Sequence, residues 1–117
     1  MSAHKKLIIW QKGVTLAVDV YSATQSLPIE ERYGLLSQIR RSASSFPANI
    51  AEGYGRGRKN ELGHFLRIAR GSLFELQTHL EIAHRVGYLD LRAHDDLFTK
   101  TQELDAMLSA YMSKLLQ

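Results

Sequence analysis

The chain has no cysteine, only two prolines and one tryptophan in 117 residues, and no long apolar run. Without cysteine there is no disulfide, no thiolate metal site and no cysteine nucleophile, which fits a reducing compartment. No window approaches the roughly 18 consecutive apolar residues of a membrane span, and Met1-Ser2-Ala3-His4-Lys5-Lys6 is followed by no stretch of signal-peptide length. The expectation is a soluble, cytoplasmic protein with no membrane partner. A strong charge of one sign is also missing: the formal net charge is +3 and the pI about 9.3. What excess there is lies in the first half and is densest at Arg56, Arg58 and Lys59.

With 44% apolar residues, one domain of residues 1–117 has enough material for a single core. Alternating strand patterns, low-complexity runs and internal repeats are absent, and the apolar residues recur at helical spacing. A first helix is expected over about 8 to 25, with a face of Leu7, Trp10, Val14, Ala17, Tyr21 and Thr24. Pro28, followed by Glu30 and Glu31, is expected to open a second helix, because its missing N–H is an orphan there and the carboxylates complement the helix dipole.

The face of that helix, Leu36, Ile39, Ala43, Phe46, Ile50 and Gly53, keeps its phase straight through Pro47. One helix kinked near Pro47 explains this better than two helices. Proline inside a helix removes one hydrogen bond and crowds the carbonyl four residues back, so packing must hold it there. Gly53, Gly55 and Gly57 end the helix. The third helix starts between about Lys59 and Glu61, is closed by Gly87, and carries Leu62, Leu66, Ala69, Leu73, Leu76, Leu80 and Ala83. The fourth follows a cap at Asp90 and shows Leu97, Thr101, Leu104, Leu108, Tyr111 and Leu115. Short connections between long helices force neighbours to run in opposite directions. The fold class is all-α, an antiparallel up-down-up-down four-helix bundle with a Pro-kinked second helix.

The third helix has more apolar surface than one core requires. Phe65, Ile68, Ser72, His79, Ile82 and Val86 adjoin its core stripe, and Ile9, Leu16 and Val20 form a similar surplus on the first helix. A helix apolar well beyond a stripe of about 100° is usually buried on two sides. Self-association through Phe65, Ile68, Ser72, Ile82 and Leu16 is one explanation. A wide core face with scattered exposed apolar residues is the other.

Catalytic chemistry has no foothold, so the chain is read as a non-enzyme without cofactor. Glu61/His64 and Glu81/His84 resemble half-sites of carboxylate-bridged metal bundles, but both lie on one helix roughly 30 Å apart and cannot share a metal. Gly53-x-Gly55-x-Gly57 follows a helix instead of a strand and lacks the lysine of a phosphate loop. Three features remain. The basic residues Arg41, Arg56, Arg58 and Lys59, supplemented by Lys5, Lys6 and Lys12 and placed near Tyr54, suit phosphate contacts and base stacking; a solvated loop at a bundle end is the bland alternative. Gln38, Arg40, Asn49, Glu52, Arg70 and Glu75 could form a polar network joining the second and third helices. Pro47 shapes the second helix.

Several segments carry a resemblance: Tyr33-Gly34-Leu35, Gln38-Ile39-Arg40-Arg41, Ser45-Phe46-Pro47-Ala48-Asn49-Ile50-Ala51-Glu52-Gly53, Phe65-Leu66-x-Ile68-Ala69-x-Gly71-Ser72-x-x-Glu75-Leu76 and Gly87-Tyr88-Leu89. Together they resemble the bacterial four-helix-bundle family encoded within intervening sequences of 23S ribosomal RNA genes, often labelled S23 ribosomal protein. The resemblance spans nearly the whole chain. It implies a homopentamer. It also implies kinship with the accessory variability protein of diversity-generating retroelements, and through it structured RNA or DNA and a reverse transcriptase as partners. Where the family pattern has a serine this chain has Arg58, which would move the start of the third helix to Asn60. The alternative function is a protein-interaction scaffold with no nucleic-acid role.

Overall fold

The computed structural model describes residues 3–115. A 3-10 turn, Ala3–Lys6, precedes helix α1 (Ile8–Ala23); a second 3-10 turn, Ile29–Glu31, leads to α2 (Leu35–Gly55), followed by α3 (Lys59–Arg85) and α4 (Leu91–Leu115). No strand occurs among the described residues. The 43 × 23 × 22 Å body is a four-helix bundle whose long axis is about the length of α3 at 1.5 Å per residue.

The contacts fix the directions of the helices. Gly13 of α1 meets Phe46 and Pro47 of α2, while Arg40, earlier in α2, reaches Tyr21 and Thr24 at the end of α1. Ser45 pairs with Ser72, and Gly53 with Leu62 and Phe65. Arg70 meets Asp105 and Gln77 meets Thr101, and Lys100 of α4 closes the circle on Asp19 of α1. In each of the first three pairs one number rises as the other falls, so successive helices are antiparallel.

The seven residues read as the core stripe of α3 are all buried, and so are Leu97, Thr101, Leu104 and Leu108 of α4. α2 contributes Ile39, Ala43, Phe46 and Ile50, each at 0% exposure, and runs unbroken through buried Pro47. At the end of α3, Gly87 takes φ +91°; its N–H bonds the His84 carbonyl and the Tyr88 N–H the Ala83 carbonyl, which satisfies the last carbonyls of the helix. Asp90 caps α4 by accepting the Ala93 N–H at 2.8 Å.

Two expectations are corrected. Pro28 starts only the short 3-10 turn, not α2. The chain leaves helical geometry at Gly34 (φ −111°, ψ −115°), and the Glu31 carboxylate accepts the Leu35 N–H at 3.1 Å, capping α2 afresh. α1 is also rotated from its expected phase: Ile9, Gly13, Leu16 and Val20 face the core, whereas Tyr21 is 45% exposed. Gly13 is the cause. A Cβ there would lie 2.7 Å from the Phe46 ring, so only glycine lets α1 settle against Phe46 and Pro47. Leu16, 2% exposed in the core of its own chain, therefore has no surface to offer a second copy.

Candidate nucleic-acid interface

Because α1 starts where α2 ends, the bundle gathers basic groups from separate segments at one end. Lys5 and Lys6 are exposed on the first 3-10 turn, which rests on α1 and α2 and is tied down by the Gln11 amide donating to the Lys5 carbonyl at 2.7 Å. α2 stops at Gly55, Gly57 takes φ +77° to reverse the chain, and Arg58, in extended conformation, starts α3 by accepting the Leu62 N–H at 2.9 Å. No side chain caps that start, and α3 begins at Lys59. Lys114, in the last turn of α4, arrives at the same end.

The Arg56 guanidinium donates to Glu52 at 2.9 Å and lies over the Phe65 ring at 5.1 Å. The hydrogen bond to Glu52 and its negative charge hold Arg56 above its ordinary pKa. Arg58 stands 77% exposed, its Nε 3.9 Å from Glu61. Beside them Tyr54, Tyr111, Arg58, Lys59 and Leu115 line a groove of about 310 Å³. Burial, and then the neighbouring Tyr54, push the Tyr111 phenol up, so it is a neutral hydrogen-bonding group at physiological pH. Sequence placed Tyr111 only on the apolar face of the fourth helix and did not single out Lys114; an antiparallel fourth helix was the signal that its C-terminal turn joins this end. The arrangement offers cations, an aromatic wall and the reversing backbone, a set suited to phosphates and bases.

Two of the basic residues lie elsewhere. Lys12 lines a groove between α1 and α4 together with Asp19, Lys100 and Glu103, where the charge is mixed. Arg41 precedes Arg56 by fifteen residues of helix, roughly 22 Å, and is exposed with its guanidinium on Gln38 at 2.6 Å.

The charged network expected between α2 and α3 does not form. Arg40 turns to α1, Arg70 to Asp105 of α4, and Glu52 to Arg56 on its own helix. Glu75 is exposed. What joins α2 to α3 is uncharged: the Asn49 amide donates to the Ser45 carbonyl and hydroxyl at 2.8 and 2.9 Å, and the Ser45 hydroxyl meets that of Ser72 at 2.9 Å. Neutral groups close this gap because Gly53 and the small residues bring the helices too near for long charged side chains. Ser72, 4% exposed, is thus a partner of α2, not of an outside surface.

Ile68 (39%) and Ile82 (45%) of α3 and Val86 (57%) just after it are exposed on one face, since 14 and 18 residues are nearly whole numbers of turns. Phe65 is half-buried under Arg56. Of the two Glu-x-x-His pairs, Glu81 engages other groups: Arg85 donates to it at 2.9 Å, holding its carboxyl below the ordinary range, and His94 Nε2 lies 3.2 Å away in poor hydrogen-bond geometry.

Fold and surface thus define a small helical bundle with a basic, tyrosine-lined end. Residues 5–110 match the model of the 23S rRNA-intervening sequence protein family, and the chain belongs to that family. A solved structure from Bacteroides thetaiotaomicron, described as a protein with unknown function from the S23 ribosomal protein family, has the same fold: TM-score 0.81 at 22% identity, covering 90% of this chain and 98% of that one. No curated protein matches this chain.

Proposed function

We propose that this protein is a non-enzymatic homo-oligomeric bundle that binds RNA, or a complex containing nucleic acid, through its basic end. The observation that carries the reading is the convergence of Lys5, Lys6, Arg56, Arg58, Lys59 and Lys114 from three separate segments beside Tyr54 and Tyr111. Glu52 and Glu61 offset Arg56 and Arg58, each in an ion pair. Guanidinium groups on a reversing loop meet phosphates without rearranging the core, and an oligomer would multiply a modest patch into a strong field. The oligomer proposed is a pentamer, formed over the α3 face that carries Ile68 and Ile82. The family's origin in interrupted 23S genes supports RNA as the ligand.

Two measurements test this. A structured RNA hairpin at about 50 mM salt should bind wild type, and the triple variant Arg56→Ala/Arg58→Ala/Lys59→Ala should lose at least tenfold in affinity. Equal binding would remove the site. Sedimentation should give a mass of five 13.3 kDa chains, reduced to one by Ile68→Glu/Ile82→Glu; a wild-type monomer would end the oligomer reading. The rival, a protein-interaction scaffold, is favoured by the exposed apolar face of α3 and would be supported by intact assembly without any salt-sensitive nucleic-acid binding.

A further inference from the structure

A second basic surface lies away from the bundle end. Where the turn Ile29–Glu31 leads into α2, a groove of about 490 Å³ opens against the last turn of α1, with Tyr21, Arg32, Tyr33, Ser37, Arg40 and Arg41 among its walls and no carboxylate lining it. Of the two acids in the turn, Glu31 is engaged elsewhere by the Leu35 N–H at 3.1 Å and the Tyr88 hydroxyl at 3.2 Å, and Glu30 is exposed and does not line the groove.

Arg40 is fixed in place. Its Nε donates to Thr24 Oγ1 and its Nη2 to the Tyr21 carbonyl, both at 3.2 Å, and the guanidinium lies 4.5 Å from the centre of the Tyr21 ring. These bonds use two of its five N–H donors. The rest have no acceptor among the described residues. Arg41 is held at the rim by Gln38, and Arg32 stands 5.9 Å from the ring of Tyr33. Tyr33 itself is 88% exposed. A ring left in water has no packing role in the bundle, and the groove it shares with three arginines suits one ligand class: arginines for phosphate oxygens, a tyrosine face for an unpaired base.

We propose that this groove is a second nucleic-acid site that takes a single-stranded segment, a backbone phosphate on Arg40 and Arg41 and an unstacked base on Tyr33. The proposal rests on the nucleic-acid reading of the bundle end and goes beyond it, because Tyr54 and Tyr111 at the end are half-buried, whereas Tyr33 is exposed enough to stack an unpaired base and so to discriminate single strands from duplex. A continuous strand would reach both, since they lie roughly 22 Å apart along α2.

The test uses the full chain labelled with ¹⁵N and three probes: a decauridylate, a blunt RNA duplex and a decaglutamate peptide. The decauridylate should shift backbone amides of residues 33–41, and Tyr33→Ala should weaken its binding about tenfold while duplex binding changes less than twofold. Because Tyr33 touches almost nothing, this variant keeps its fold, which its unfolding curve verifies. Arg32→Ala/Arg41→Ala should weaken both RNAs. Shifts confined to residues 55–59, with Tyr33→Ala binding as wild type does, would overturn the groove and leave the bundle-end reading standing. No shift anywhere with either RNA would overturn both. A decaglutamate that moves the same amides with the same affinity would overturn the assignment to nucleic acid.

Discussion

The close approach of α2 and α3 holds the junction in place, and two glycines test it by the same chemical change. An ideal Cβ on Gly53 would sit 2.7 Å from Phe65 Cβ and 3.3 and 3.4 Å from Leu62 Cδ1 and Cα. Phe65 Cβ is bonded to the backbone of α3 and cannot swing aside, so Gly53→Ala must push the helices apart. Overpacking of this kind costs about 1–3 kcal/mol, offset by up to about 1 kcal/mol of improved helix propensity. Because the clash is with a backbone-bonded atom, the middle of that range, about 2 kcal/mol, applies, and after the propensity gain the net loss is about 1–2 kcal/mol. At Gly71, within α3, a Cβ meets nothing within 4 Å. Gly71→Ala therefore keeps the propensity gain alone, about 0.5–1 kcal/mol. At about 4 °C per kcal/mol for a domain of this size, thermal unfolding should fall by about 4–8 °C in the first variant and rise by about 2–4 °C in the second. A Gly53→Ala protein as stable as wild type would refute the close approach. A loss at Gly71 would mean that something covers that face.

Other outcomes follow from the same contacts. Gly57→Ala should cost about 1–2 kcal/mol in urea unfolding, because φ +77° is unfavourable for an L side chain; no loss would mean the reversal relaxes freely. Arg40→Ala should cost about 1–2 kcal/mol by removing two hydrogen bonds and the contact with Tyr21 between α1 and α2; Arg40→Lys should recover less than half. Stability should also depend on pH at both extremes. Hydrogen bonds to Asp19 and Asp96 hold Lys100 protonated, and burial raises Tyr88 and Tyr111, so their contributions are complete below the ordinary values of 10.5 and 10.0 and are lost as pH climbs through the raised ones. Glu81 works the other way: the Arg85 hydrogen bond lowers its pKa, so its contribution is present above 4.5 and lost as pH falls through the folded value. The urea midpoint should drop on both sides; a midpoint that rises above pH 10 would contradict the first part.

How legible each element was depended on how many faces of it are apolar. α3 keeps a continuous leucine stripe that stands out from the Ile68 and Ile82 face beside it, and its core residues could be read off that spacing. α1 is apolar almost all round, from Ile8, Ile9 and Trp10 to Val18 and Val20, so periodicity could not fix its rotation; the contact of Gly13 with Phe46 does, and a contact between helices leaves no local mark. The start of α2 was obscured by a good signal at Pro28 that the turn at Tyr33-Gly34 cancels one turn later. Residue types announced polar bridging near Asn49, but the partners are Ser45 and Ser72, because the spacing of the helices selects short side chains. The basic junction was visible as composition. Its union with Lys5 and Lys6 needed the antiparallel pairing, and the groove around Tyr33 needed the bend that the proline signal concealed.

In the proposed function phosphates are met by the cations of the bundle end, and the salt dependence of RNA binding reads those contacts. Each phosphate contact with a single strand contributes about −0.7 to the slope of log K against log salt. Removing Arg56, Arg58 and Lys59 together should therefore make the slope shallower by about 2, with weaker binding at every salt concentration. A wild type that binds no RNA at about 50 mM salt, or a triple variant with an unchanged slope, would contradict the account.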